Sequence, residues 1–196
     1  MKLIYSPLSP FARKVRVVLA EKGLDDQVEG EVVNPWDEPS ALTTANPISQ
    51  VPTLVLDDGT ALYDSGVIAA YLDTLNDAPR LIPPGTEQWR VRRTEAAADA
   101  ICENVVKLRQ EALRPEAERS AHHAARWRRT VTRSLDALEQ EGPDGGLDLG
   151  EIMLAIALDY VDFRAPELDW RSGRPNLAAR WRRLESRPSF RATAPA

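Results

Sequence analysis

The sequence predicts an α/β domain over residues 1–78, a linker over 79–86 and an all-α domain over 87–196. Three observations carry that prediction. In the first 75 or so residues, short strand-like runs alternate with segments of helical spacing. The stretch Pro79 to Gly85 holds three prolines and a glycine, a composition suited to a connection between domains. From Glu87 to Leu113 neither proline nor glycine interrupts the chain, and the later segments repeat apolar residues with a helical period.

Taken in order, Lys2-Leu3-Ile4-Tyr5 reads as the opening strand. Phe11, Val15, Val18 and Leu19 then recur at helical spacing. Ser9-Pro10 supplies an N-cap and a first helical residue, and Gly23 a C-terminal stop. Gln27 to Val33 has the length of a second strand. Asn34 to Ser49, with three prolines and two asparagines, reads as a loop holding a short helix. Thr53 to Leu56 and Ala61 to Tyr63 flank Asp57-Asp58-Gly59-Thr60, a hairpin signal because Asp-Gly accepts positive φ at little cost. Ile68, Tyr71, Leu72 and Leu75 mark one face of another helix. The order β-α-β, loop, β-β-α makes a mixed sheet with helices on its faces.

In the second part, Glu87 to Leu113 spans about 40 Å as a helix. Ser120 to Gln140 places Trp127, Val131, Leu135 and Leu138 on one side. Leu147 to Asp162 is apolar almost all round, the mark of a buried central helix, and Asp148 three residues before Glu151 resembles an acidic capping box. Leu177, Trp181 and Leu184 close the pattern. No internal repeat is present.

Composition narrows the function classes. The 196 residues are 43% hydrophobic and 28% charged, ordinary values for a globular protein with a sizeable core. A net charge of -5 argues against a nucleic-acid partner, which needs a basic footprint. The clusters Arg90/Arg92/Arg93, Arg126/Arg128/Arg129 and Arg180/Arg182/Arg183 are interleaved with acids and read as solvated helix faces. With Cys102 as the single cysteine, no intrachain disulfide forms and a reducing compartment is expected. Met1-Lys2 runs straight into a strand-like segment, so no signal peptide is expected. The apolar run Ile152 to Leu158 is far short of the ~20 residues of a membrane span. A cytoplasmic protein without membrane attachment is expected. His122 and His123 diverge by about 100° on a helix, a poor metal pair, so no metal is expected.

Three short motifs carry the chemistry. A hydroxyl at Ser9, before Pro10, sits where strand turns into helix. The bland reading is a routine cap; the functional one is a donor to a thiolate, assisted by the positive end of the helix dipole. Such a site lowers a thiol pKa from ~8.5 toward neutrality and produces the nucleophile. Val51-Pro52 precedes a strand. Its X-Pro bond is read as cis, turning the Val51 backbone outward to pair with an extended peptide. Asp64-Ser65 opens a helix, where Asp64 can meet an ammonium and Ser65 a carboxylate. A ligand with an amino-acid head, a peptide middle and a thiol would touch all three.

With these motifs the chain resembles the cytosolic glutathione transferases of the bacterial, serine-type kind, over essentially its whole length. The resemblance is carried by Ser9-Pro10-Phe11-Ala12-Arg13-Lys14-Val15, Val51-Pro52 and Asp64-Ser65 in the first domain. In the second it is carried by Leu147-Asp148-Leu149-Gly150-Glu151, Asp162-Phe163-Arg164, Pro166-Glu167-Leu168 and Arg187-Pro188-Ser189-Phe190. It implies a thioredoxin-like N-terminal domain, an all-α C-terminal domain, and glutathione as co-substrate. Ser9 then matches the hydroxyl that stabilises the thiolate, and Val51 the backbone partner of the cysteinyl unit, with Pro52 the cis-proline. Asp64 and Ser65 match the γ-glutamyl end. Gln50 stands beside the glycyl carboxylate where the family often has lysine. Phe11, Trp36, Asn104, Lys107 and Leu108 fall, by the same resemblance, at the pocket for a small apolar electrophile.

Two departures stand out. Ser49-Gln50 replaces the more frequent Gly-Lys, and no lysine occurs between Glu31 and Gln50, so a neutral amide takes the place of a charge-assisted bond. Weak glutathione binding is expected. A disulfide reductase of glutaredoxin type needs a cysteine where Ser9 stands. Glutathione-dependent isomerase or peroxidase activity, and a non-catalytic binding protein of the same fold, remain the alternatives. The resemblance also implies a homodimer, in which the charges of Arg90, Arg93 and Glu95 are expected to pair across a two-fold axis near the partner's Asp64 helix.

Overall fold

The computed structural model describes residues 1–142 and 146–195. Four strands, β1 (Lys2–Tyr5), β2 (Glu29–Val32), β3 (Thr53–Val55) and β4 (Ala61–Tyr63), form one sheet in the order β2-β1-β3-β4. β1 runs parallel to β2 and antiparallel to β3, and β3 runs antiparallel to β4. The expected mixed sheet is present. Its helices are α1 (Pro10–Lys22), α2 (Ser40–Ala45) and α3 (Ser65–Asp73). The expected second strand is shorter than 27–33, because Asp25–Gln27 tighten into a 3-10 turn before it.

The first unit comprises residues 1–83 and 188–196. Its core is built from Leu3, Ile4, Val15, Val18, Leu19, Leu54, Ile68 and Leu72, all buried. α1 ends as its sequence dictates: Gly23 adopts φ 64, and its N–H bonds to the Ala20 carbonyl. In the hairpin, Thr60 N–H donates to Asp58 Oδ1 at 2.8 Å, which holds the Asp58 carboxyl below its ordinary range.

Two stretches depart from the expected domain borders. A linker is expected over 79–86, yet Pro79 to Ile82 are tied into the first unit. Lys22, buried in α1, donates to the carbonyls of Asp73, Asn76 and Pro79, and Asp73 accepts the N–H groups of Leu81 and Ile82. Residues 188–195, expected in the all-α domain of 87–196, group with the first unit. Arg13, a charged residue on the buried side of α1, is the physical reason: it reaches the Phe190 carbonyl at 3.2 Å.

The second unit, residues 84–187, is helical: α4 (Glu87–Leu113), α5 (Ala121–Gln140), α6 (Leu149–Arg164) and α7 (Pro175–Glu185). α6 is buried almost throughout, and α4 packs against both α5 and α6. Asp148 caps α6 by accepting the Glu151 N–H at 2.9 Å. Gly150 lets α6 meet α4 closely, since a Cβ there would stand 2.7 Å from the Val91 carbonyl oxygen. Glu151 forms a buried pair with Arg180, whose Nε lies 3.1 Å from both carboxylate oxygens. No helix among the described residues is long and apolar enough to cross a membrane.

The charges expected to pair across a dimer axis instead have partners within this unit. Arg90 bonds Asp148 at 2.8 Å, Arg93 bonds Glu141 at 2.8 Å and Arg92 bonds Glu95 at 3.0 Å. Arg90 and Arg93 thus meet carboxylates of other segments of the unit, and Arg92 one of α4 itself.

Candidate functional site

Strand register brings the three motifs to one end of the sheet. Ile4 lies opposite Thr53, and Thr53 opposite Tyr63. The exit of β1, the entry of β3 and the exit of β4 therefore share an edge. Ser9 follows the first, Val51-Pro52 precedes the second and Asp64-Ser65 follows the third. β2, parallel to β1, leaves toward Trp36 at the same edge, since Tyr5 pairs with Val32. Adjacent strands lie ~4.8 Å apart, so β1 to β4 spans about 10 Å. That is the reach of about three extended residues.

Ser9 has extended backbone (φ -85, ψ 123) and caps α1. Its Oγ accepts the Ala12 N–H at 3.2 Å, and its carbonyl accepts the Arg13 N–H at 2.9 Å. Serine carries one O–H donor and two acceptor sites. The cap uses an acceptor and leaves the O–H without an intrachain acceptor among the described residues. Pro10 has no N–H, and the Phe11 amide has no intrachain partner among those residues either, so the first turn keeps a donor at its positive end.

The Val51-Pro52 bond is cis, as is Ala78-Pro79. Val51 is half-buried, and among the described residues its backbone makes no intrachain hydrogen bond, so both its polar groups are available to an added strand. Asn46 shapes the loop that presents it. Only 1% exposed, Asn46 donates through Nδ2 to the Gln50 carbonyl at 2.9 Å and to Thr53 Oγ1 at 3.0 Å, and its Oδ1 accepts the Ile48 N–H at 3.0 Å. Sequence reading passed Asn46 over. Its signal was an Asn-Pro pair closing a short helix shortly before a Val-Pro-Thr. Ser49 adopts φ 52 in the same loop, which explains why glycine is the easier residue there. The Gln50 side chain is exposed.

Asp64 stands at φ 73, ψ 125, a conformation that costs a non-glycine residue about 1–3 kcal/mol. Its Oδ1 accepts the N–H groups of Gly66 at 2.8 Å and Val67 at 3.1 Å, leaving Oδ2 for a cation. Ser65 is buried at the first helical position of α3. Such strain persists where surrounding contacts impose it, and here it turns the carboxylate over the helix start.

The remaining predicted residues are placed less decisively. Phe11 is half-buried in the first turn of α1, and Trp36 is 72% exposed in a 3-10 turn capped by Asn34. On α4, Asn104 is buried with its amide given to the Ala100 carbonyl at 2.7 Å. Leu108 is buried, and exposed Lys107 pairs with Glu103 at 3.6 Å. An open cleft of about 630 Å³ lies elsewhere on the first unit, lined among others by Lys2, Glu31, Ser40 and Thr44. It includes none of the motif residues.

Comparison with known proteins points to one family. Residues 8–75 match the model of the glutathione S-transferase N-terminal domain, and residues 121–179 that of the C-terminal domain. The uncharacterized GST-like protein YibF of Escherichia coli is 38% identical over 202 residues, covering 100% of this chain and 98% of its own. A glutathione transferase family member from Pseudomonas fluorescens Pf-5, solved with bound glutathione, is 38% identical with a TM-score of 0.95, covering 100% of this chain and 98% of that one. A glutathione S-transferase from Methylobacterium radiotolerans, in complex with glutathione sulfonate, is 38% identical with a TM-score of 0.91, covering 99% and 94%.

Proposed function

The chain belongs to the glutathione S-transferase family, and on that premise we propose that it is a serine-type glutathione transferase acting on small apolar electrophiles. The observation that carries this reading is the Ser9 hydroxyl, held by its cap bond with the O–H left to donate. A thiol placed there loses its proton to solvent more readily, because the thiolate gains a hydrogen bond and the positive end of α1. Asp64 and Ser65 would take the γ-glutamyl ammonium and carboxylate, the Val51 backbone the cysteinyl unit and Gln50 the glycyl carboxylate. The ~10 Å from β1 to β4 suits a thiol at Ser9 with its γ-glutamyl group at Asp64.

The sulfur then attacks an electrophilic carbon. A C–S bond forms, and the displaced group departs with its electron pair. Where the electrophile is an activated alkene, the pair moves to the activating group, which takes a proton from water. Holding the two reactants together supplies much of the acceleration. Phe11, Trp36, Asn104, Lys107 and Leu108 remain, by family resemblance, the proposed electrophile contacts, with Asn104 weakened by the commitment of its amide. We assign a homodimer, consistent with the exposed apolar surface of Tyr63 and Val67 beside Asp64, and a cytoplasmic location.

Exposed, uncharged Gln50 favours a second reading, a glutathione-binding protein without turnover; isomerase or peroxidase chemistry would use the same thiolate. Calorimetric titration with glutathione, alongside conjugation of chlorodinitrobenzene, separates them. Binding with turnover supports the transferase, binding without turnover the second reading, and no binding rejects both.

A further inference from the structure

We infer that residues 188–195 form a clip that positions α1 and, through it, the Ser9 hydroxyl, an inference that rests on the thiolate role proposed for Ser9. The clip is a separate element of the first unit. α8 (Pro188–Ala192) and the residues after it return to α1 at the end of the chain. Ser189, Phe190 and Thr193 are all buried, with Phe190 only 1% exposed.

The contacts grip α1 at both ends. Near its C-terminus, Ser189 Oγ donates to Glu21 Oε1 at 2.5 Å. One turn from its start, Arg13 donates through Nη2 to the Phe190 carbonyl at 3.2 Å and through Nε to Thr193 Oγ1 at 3.4 Å. The Arg13 guanidinium also lies 5.6 Å from the centre of the Phe190 ring. Residues 13 and 21 are about 12 Å apart along a helix, so the clip runs most of the length of α1.

A helix as short as α8 does not persist unaided, and its last carbonyls have no partner within it. Arg13 supplies one for Phe190. In return the clip fixes the side chain of the residue whose own N–H holds the Ser9 carbonyl. Arg13 thus joins the clip, by its side chain, to Ser9, by its backbone. Phe190, Thr193 and Arg13 are positioning residues. None is required to touch glutathione. Val51 and Asp64-Ser65 sit on other elements, before β3 and after β4, so loss of the clip should spare the remainder of the glutathione contacts.

The test compares the full chain with a variant ending at Arg187 and with Thr193→Val and Phe190→Leu in the full chain. Ultraviolet absorbance of the bound glutathione thiolate is followed against pH, with glutathione affinity measured by calorimetry. Removing the clip is expected to raise the bound thiol pKa by about one unit, which lowers turnover about tenfold below both pKa values. The rates converge at alkaline pH, and the glutathione Kd measured below both pKa values, where the bound thiol is protonated in either protein, stays within about twofold. The point variants should shift in the same direction by less. If circular dichroism shows the shortened chain unfolded, the point variants decide. A thiol pKa equal to the parent's in every folded variant overturns the clip. A parent whose bound thiol titrates at its free value overturns the thiolate role of Ser9 and the clip with it.

Discussion

Replacing Ser9 separates what a cap does for the fold from what a hydroxyl does for a thiolate, because alanine and glycine differ in the first and agree in the second. Ser9→Ala removes the acceptor of the Ala12 N–H, at a cost of about 1 kcal/mol. For a chain of 196 residues the unfolding entropy is about 0.4 kcal/mol per degree, so Tm should fall about 2–3 °C. Ser9→Gly costs only a few tenths of a kcal/mol, because glycine leaves the amides of the first turn open to water, and Tm should fall by about 1 °C or less. On the proposed role of Ser9, both variants lose the donor to the thiolate. A hydrogen bond to a charged group contributes about 1.5–3 kcal/mol, equivalent to about 1–2 pKa units on the bound thiol. Turnover near neutral pH should therefore drop about 10–100-fold in both, whatever the change in Tm, and recover as pH rises. Ser9→Thr, which keeps cap and donor, should restore most of it. The assays are thermal denaturation, thiolate absorbance against pH and chlorodinitrobenzene conjugation. A Ser9→Gly protein with the parent's thiol pKa and turnover would refute the argument.

Three further outcomes are expected. With Gln50 placed as proposed, Gln50→Lys would set a cation beside the glycyl carboxylate, and about 1 kcal/mol of added attraction should lower the glutathione Kd about fivefold; unchanged or weaker calorimetric affinity rejects that account of the departure. Asn46→Ala removes the bonds from Nδ2 to the Gln50 carbonyl and to buried Thr53 Oγ1 and the acceptor of the Ile48 N–H, a loss of about 1–3 kcal/mol that should lower Tm about 2–7 °C and weaken glutathione binding; a parental Tm and Kd would show the hub is dispensable. Tyr160 in α6 is held above its ordinary phenol pKa of 10.0, first by burial and then by the nearby Cys102. The folded state retains that proton while the unfolded state releases it, so this contribution is full below pH 10 and is lost as pH rises through the raised folded value. Tyr160→Phe should flatten the alkaline fall in stability above pH 10, and an unchanged denaturation profile there counts against the assignment.

What the sequence by itself determined was local. Ser9-Pro10 and Gly23 bound α1 because a hydroxyl cap, a ring-fixed φ and a residue tolerant of φ 64 act on their immediate neighbours. Asp148 capping α6, the uninterrupted α4 and the Asp-Gly hairpin follow from the same short-range physics. The family's motifs also marked Val51-Pro52, and that bond is cis. Only the tertiary structure decided what depends on partners distant in sequence. Register in the sheet gathers residues near 9, 51 and 64 at one edge. Asn46 becomes the hub of the loop before β3 because folding buries its amide against Gln50 and Thr53. The cations of α4, legible as charges, find Asp148 and Glu141 by packing rather than by spacing. The last residues follow a helical domain in sequence, yet they join the α/β unit because Arg13 is buried on α1 and the Phe190 carbonyl reaches it across 177 positions. A pattern of neighbours encodes an element; which distant group meets a buried charge is settled only when the chain closes on itself.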